Sequence, residues 1–236
     1  MNLAAGLADL GAEVAIFDTD MYGPNVPRML GVDEQPRATE DETIVPARGV
    51  RRGADEHGVH ASGEDDPVIW RGAMVHQTLT QLVDDVQWGD IDYLVIDLPP
   101  GTGDTQLTLL QSIPITGSVI VTTPQDVALE DARRGLQMFA EHDTPVLGIV
   151  ENMSTFVCPD CGSEHDIFGS GGGERFAEEK DMPFLGSIPL DPGGSRERLA
   201  TRAAAMRGWP RYGSARRPAF RGHRRETDGG HRSATS

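Results

Sequence analysis

Three short apolar runs in this chain each end in a polar cluster, and helix-like stretches separate them. That alternation constrains the fold more than any other feature. Glu13 to Phe17 (EVAIF) leads into Asp18-Thr19-Asp20, and Asp92 to Leu98 (DYLVIDL) leads into Pro99-Pro100-Gly101-Thr102-Gly103-Asp104. Pro145 to Val150 (PVLGIV) leads into Glu151-Asn152-Met153-Ser154. Near-continuous apolar runs of this length fit strands covered on both faces. Ser118 to Thr122 and Phe184 to Ile188 are expected as further strands. Between them, residues 3–10, 73–87, 126–141 and 174–180 carry helical patterns, the first closing at Gly11 as a C-cap. Strands alternating with helices predict an α/β fold, a mostly parallel sheet with helices on both faces.

Ligands of open α/β sheets bind beyond the carboxyl ends of the strands, where the three polar clusters fall. Asp97 closes four apolar or aromatic residues (YLVI), the Walker B arrangement in which a carboxylate holds Mg²⁺ beside nucleotide phosphates. Glycines after it let backbone N–H groups approach a phosphate. Taken singly, an aspartate at a strand end is a helix cap or turn residue; three such clusters on one edge point to a site. No GxxxxGK[ST] loop occurs in the sequence.

The two cysteines of the chain sit together in Cys158-Pro159-Asp160-Cys161. A tetrahedral Zn²⁺ or an iron–sulfur cluster takes four protein ligands, and this pair supplies two. Either the chain recruits others, His165 with Asp160 or Glu164 at ordinary zinc spacing, or two copies share one centre. His57, His60, His76 and His142 read as surface or loop histidines, the methionines as core filler, and Trp70 and Trp88 as packing anchors.

Charge divides the chain. Residues 1–195 carry 34 acidic and 10 basic side chains, whereas 196–236 carry 3 and 11. The acidic part repels itself at low ionic strength, so a salt-adapted cytosol is expected, and DNA binding by it is disfavoured. Residues 195–236 are dense in arginine and lack Ile and Val after 195, so they are expected as a disordered tail. Residues 47–63 lack an apolar run where spacing asks for a strand, and are expected as an aberrant loop within a domain spanning 1–194. Neither a membrane span nor a signal peptide is visible, so a cytoplasmic location is expected.

The chain resembles the Mrp/ApbC-type iron–sulfur cluster carrier ATPases, a branch of the MinD/ParA-like deviant P-loop proteins. The resemblance rests on NLAAGLADLG (2–11), FDTDMYGPNVPRMLG (17–31), PVIWRG (67–72) and DYLVIDLPPGTGDTQLTLLQ (92–111). It continues through VIVTTPQDVAL (119–129), GIVENMS (148–154), CPDCG (158–162), IFGSGGGERFA (167–177) and PFLGSIPLDP (183–192). It implies that Asp20 positions or activates the attacking water, that Asp18 assists Mg²⁺ through solvent, and that Asp97 is the Walker B carboxylate. The Gly101 amide would sense the γ-phosphate, and Asn152 would read the adenine edge. It further implies that Cys158 and Cys161 of two subunits hold one bridging [4Fe–4S] cluster. The cluster would be passed to apo iron–sulfur proteins by a cytoplasmic homodimer that hydrolyses Mg-ATP. A ParA/MinD-like positioning ATPase and a zinc-binding non-catalytic remnant are the alternatives.

The family's GKGGVGKST-type loop does not appear, residues 50–62 replace an apolar strand, and the region after about Gly194 lacks the closing helix. Omitting the family's first strand predicts a gap in the sheet, and the missing loop removes most phosphate-binding amides. The 236-residue chain is therefore expected to bind ATP with millimolar or weaker affinity by calorimetry; micromolar binding would overturn that expectation.

Overall fold

The structure, a computed structural model, describes residues 1–20, 25–32, 34–41, 43–51, 54–60 and 72–190. The expected Arg-rich tail, the boundary at 194 and Trp70 lie outside the described residues. The first elements are α1 (Asn2–Asp9), β1 (Val14–Asp18), α2 (Val26–Leu30), β2 (Arg37–Ala38), β3 (Ile44–Val45), β4 (Ala47–Arg51) and β5 (Ala54–His60). Then follow α3 (Gly72–Asp85), β6 (Tyr93–Asp97), α4 (Asp104–Ser112), β7 (Ser118–Thr122) and α5 (Asp126–Glu141). β8 (Val146–Val157), β9 (Glu164–His165), α6 (Gly172–Glu179) and β10 (Phe184–Leu190) complete the described chain. This is the α/β arrangement expected from the alternation of apolar runs and helical patterns.

Among the described residues the parallel strands form two separately hydrogen-bonded sets. β1 pairs with β6 from Val14↔Tyr93 to Asp18↔Asp97. β7, β8 and β10 form the second set in the order β10-β8-β7. All five residues of β1 are buried, as an uninterrupted apolar run requires. Ala15 and Phe17 enter a cluster with Leu79, Val86, Trp88, Leu109 and Ile113. Trp88 meets Phe17 edge to face at 5.7 Å, and its indole N–H donates to the Val83 carbonyl at 3.0 Å. That geometry satisfies a polar N–H while burying the ring, the packing role expected of this tryptophan. Ile120, Met138, Phe139, Ile149 and Phe176 centre a second cluster. Leu98 packs against both clusters; within α4, Leu109 belongs to the first and Leu107 and Leu110 to the second. One short helix therefore holds the two sets of strands to each other.

Two expectations are corrected. Residues 47–51 and 54–60 are not a loop: β4 and β5 form an antiparallel hairpin with Ala47↔His60 and Gly49↔Gly58 in register, and β5 runs beside β1. A hairpin is held by main-chain hydrogen bonds, so it forms without an apolar run. β8 does not end at Val150 but continues to Val157. Its extension keeps its partners, with Ile188↔Asn152 and Leu190↔Phe156 on β10 and Phe156↔His165 on β9.

α6 is tied to α5 by Arg133, whose two guanidinium nitrogens donate to the Glu179 carboxylate at 2.6 and 2.5 Å. The same guanidinium lies 5.0 Å from the centroid of the buried Phe176 ring. Arg133, with Lys180 assisting, holds the Glu179 carboxyl down from 4.5 to about 2. A depressed folded-state value means the pair stabilises the fold above pH 4.5 and loses its effect as the pH falls towards 2. Solvent screening keeps the effect small. Glu179→Gln should lower the thermal midpoint slightly at neutral pH. Its difference from the unsubstituted chain should narrow as acid is added below 4.5; a pH-independent difference in melting scans would exclude the ion pair as its cause.

Candidate functional site

The register of β1 on β6 sets Asp18 directly opposite Asp97 at the carboxyl edge. Thr19 locks the edge: its N–H and its hydroxyl both donate to the Asp97 carbonyl, at 3.0 and 2.8 Å. Asp18 is buried, and among the described residues its two oxygens accept three backbone N–H groups. Oδ1 takes Asp20 at 3.0 Å, and Oδ2 takes Asn25 and Val26 at 3.1 and 3.2 Å. A buried carboxylate survives only when its lone pairs are met in this way. Asp18 thus shapes the loop that carries Asp20 and caps the start of α2. Asp18, Asp20 and Asp97 share one edge, and the latter two are half-buried.

The turn after Asp97 is held from beneath by Gln106, which sequence reasoning did not single out. Gln106 is buried, at 2 % exposure, three residues into the N-terminal turn of α4. Its Oε1 accepts the Gly103 N–H at 2.9 Å, and its Nε2 donates to the carbonyls of Pro99 (2.9 Å) and Gly101 (3.2 Å). The readable signal was its spacing, a Gln at the third helical position behind a glycine cap, which supplies half of a capping box. Gly101 sits exposed in this turn at φ +96°, a conformation that a side chain would strain.

On β8 the predicted polar cluster splits by depth. Glu151 is buried, and its Oε2 accepts the Gly173 N–H of the first turn of α6 at 2.6 Å. The positive end of the helix favours that carboxylate. Asn152 is half-buried, its Oδ1 accepting the Met153 N–H at 3.0 Å, and Met153 takes φ +54° where the strand bends. A cavity of about 400 Å³ opens beside them, lined by Glu151, Ser154, Glu164, Glu174 and Ser187 among others. Asn152 belongs to the strand set separate from the Asp18–Asp97 edge.

Past Val157 the chain turns through Cys158–Ser163 into β9. The Cys158 N–H donates to the Ser163 carbonyl and the Gly162 N–H to the Cys158 carbonyl, both at 2.9 Å. Gly162, at φ +72°, permits the turn. Both cysteines are reduced; Cys158 is half-buried and Cys161 exposed. The Cys161 thiol is pulled below its usual value by the Ser163 hydroxyl first, then by the Ser163 main chain and the Cys158 thiol. Thiolate is the form that binds metal. His165 does not join the pair: cross-strand pairing sets its ring against Phe156, centroids 6.4 Å apart. Among the described residues no group of three His, Cys, Asp or Glu side chains could hold a metal ion. Among the described residues, the single-chain zinc site with His165 as third ligand and Asp160 or Glu164 nearby is not assembled. No described helix is long and apolar enough to cross a membrane.

A family model described as NUBPL iron-transfer P-loop NTPase, of the ParA group, matches residues 1–207. The iron-sulfur cluster carrier protein of Haemophilus influenzae is 49% identical over 191 residues, covering 80% of this chain and 51% of that protein. The protein of the same name from Pyrococcus abyssi is 45% identical over 201 residues, covering 81% and 68%. The chain spans about half the length of the first of these curated relatives. Among solved structures, a nucleotide-binding protein of Archaeoglobus fulgidus in complex with ADP superposes with a TM-score of 0.70 at 30% identity, covering 89% of this chain and 81% of its own. MinD of Pyrococcus horikoshii, complexed with Mg-ADP, superposes at 0.61 with 22% identity, covering 86% and 81%, a likeness of fold alone.

Replacing Gln106 by Leu keeps the volume but strips the partners from one N–H and two carbonyls of the 99–103 turn. The expected cost is about 1–3 kcal/mol in urea unfolding. A loss below about 0.5 kcal/mol, the range of ordinary surface changes, would mean the turn holds its shape without that side chain.

Proposed function

Since the chain belongs to the iron-transfer P-loop NTPases of the ParA group, we propose that it is an iron–sulfur cluster carrier, with each copy contributing half of a thiolate cage. Two copies, each bringing Cys158 and Cys161, would hold one bridging [4Fe–4S] cluster as cargo and pass it to apo iron–sulfur proteins in the cytoplasm. The observation that carries this reading is the ligand count. The two cysteines lie in one tight turn, and among the described residues no third metal-binding side chain joins them. A four-ligand centre built on such a pair needs a second pair. The exposed position of Cys161 suits cargo that must leave, since solvent-accessible thiolate ligands exchange readily. The curated relatives named as cluster carriers support the same assignment.

Nucleotide enters this proposal through the carboxyl edge of the strands. Asp97 would hold Mg²⁺, with Asp18 assisting through solvent and through the loop it shapes. Asp20 would orient water against the terminal phosphate, the Gly101 N–H would face that phosphate, and Asn152 would meet the base. The given sequence contains no GxxxxGK[ST] segment, so the nucleotide part of the reading rests on these groups. Mg-ATP hydrolysis, where retained, would gate loading or release rather than create the cluster site. The strongly acidic first 195 residues speak against a ParA-like role on DNA, and the cysteine pair has no task in that role.

Anaerobic reconstitution with ferrous iron and sulfide tests the proposal. About two irons per chain and a dimer in size-exclusion chromatography are expected, and Cys158→Ser or Cys161→Ser should abolish iron retention. A monomer that keeps about one zinc per chain, or iron retained after both sulfurs are removed, would overturn it.

A further inference from the structure

Ser163 divides its two polar groups between two tasks. Its carbonyl accepts the Cys158 N–H at 2.9 Å and so closes the cysteine turn through the main chain. Its hydroxyl lies 3.2 Å from Cys161 Sγ, and the structure gives that oxygen no other partner among the described residues. In the free protein the Cys161 S–H donates to the Ser163 oxygen. A ligating sulfur carries no proton, so the direction must reverse. The hydroxyl rotates about its Cβ–Oγ bond and turns its own O–H onto the sulfur. A hydrogen bond to a charged acceptor is stronger than one between neutral groups, and partners of this kind tune how tightly a ligand holds its metal.

We infer that Ser163 is a positioning residue for the metal centre, its hydroxyl hydrogen-bonding the Cys161 thiolate and slowing release of the bound metal. The inference deepens the carrier reading above and rests on its assignment of the cysteine pair as metal ligands. It assigns retention of the cargo to a side chain outside the ligand set. Because the turn is closed by main-chain bonds, removing the hydroxyl is expected to leave both cysteines in place.

The test compares the unsubstituted chain, Ser163→Ala and Ser163→Thr, each loaded in one series with iron and sulfide and in another with Co²⁺ alone. Ser163→Ala should take up the same amount of metal but lose it to a chelator about tenfold faster, the lower end of such outer-contact effects. Its thiolate-to-metal charge-transfer band should move to lower energy, because the sulfur lone pair is no longer stabilised. Ser163→Thr, which keeps the hydroxyl, should restore both rate and band. A purely structural role would change uptake in both variants and would leave the band where it was. Equal release rates and unmoved bands in Ser163→Ala would overturn the inference. If iron and sulfide fail to load in all three proteins while the Co²⁺ series still shows the difference, the carrier reading falls and the role of Ser163 stands.

Discussion

Parallel pairing of β1 on β6 places the two strand ends side by side, and everything at the carboxyl edge depends on that register. The pairing sets Asp18 opposite Asp97, and Thr19 then ties the following loop to the Asp97 carbonyl with two bonds. A slip of one residue would exchange the two faces of β1, taking Phe17 out of its cluster with Leu79 and Trp88 and Ile16 out of its cluster with Val26. Burial of β1 therefore decides the register, and the register decides where the acidic groups meet.

Around that edge, loop shape comes from buried polar side chains that spend their hydrogen bonds on the main chain. Asp18 gathers three N–H groups, Gln106 spans the 99–103 turn from its N–H to two carbonyls, and Glu151 receives the first turn of α6. Each is nearly inaccessible to water, so an unmet group there would cost its desolvation in full. The loops consequently have one shape instead of several, and their exposed members, such as Gly101, are presented by a frame that does not itself face solvent.

The cysteine turn follows a different rule. It lies at the far end of β8, beyond the bend at Met153, and is closed by main-chain bonds and by the short pairing with β9. That pairing draws His165 onto Phe156 and away from the thiols. The turn presents one half-buried and one exposed sulfur, with the Ser163 hydroxyl beside the exposed one.

By itself the sequence determined the α/β class, the strands at Glu13–Phe17, Asp92–Leu98 and Ser118–Thr122, the helix over 126–141 and the closeness of the two cysteines. These follow from local apolar periodicity, polar strand ends and a count of two cysteines, none of which requires knowing a distant partner. Tertiary structure decided what pairs with what. It joined β1 to β6 and set β7, β8 and β10 apart, carried β8 on to Val157, and raised a hairpin from residues 47–51 and 54–60. It also buried Gln106 beneath the 99–103 turn and set Glu151 against the Gly173 N–H of α6, where their spacing alone would suggest only a helix cap and a strand end. The physical reason is that main-chain hydrogen bonds are indifferent to side-chain identity. Which N–H meets which carbonyl across many residues is settled by packing, and packing is visible only once the chain is folded.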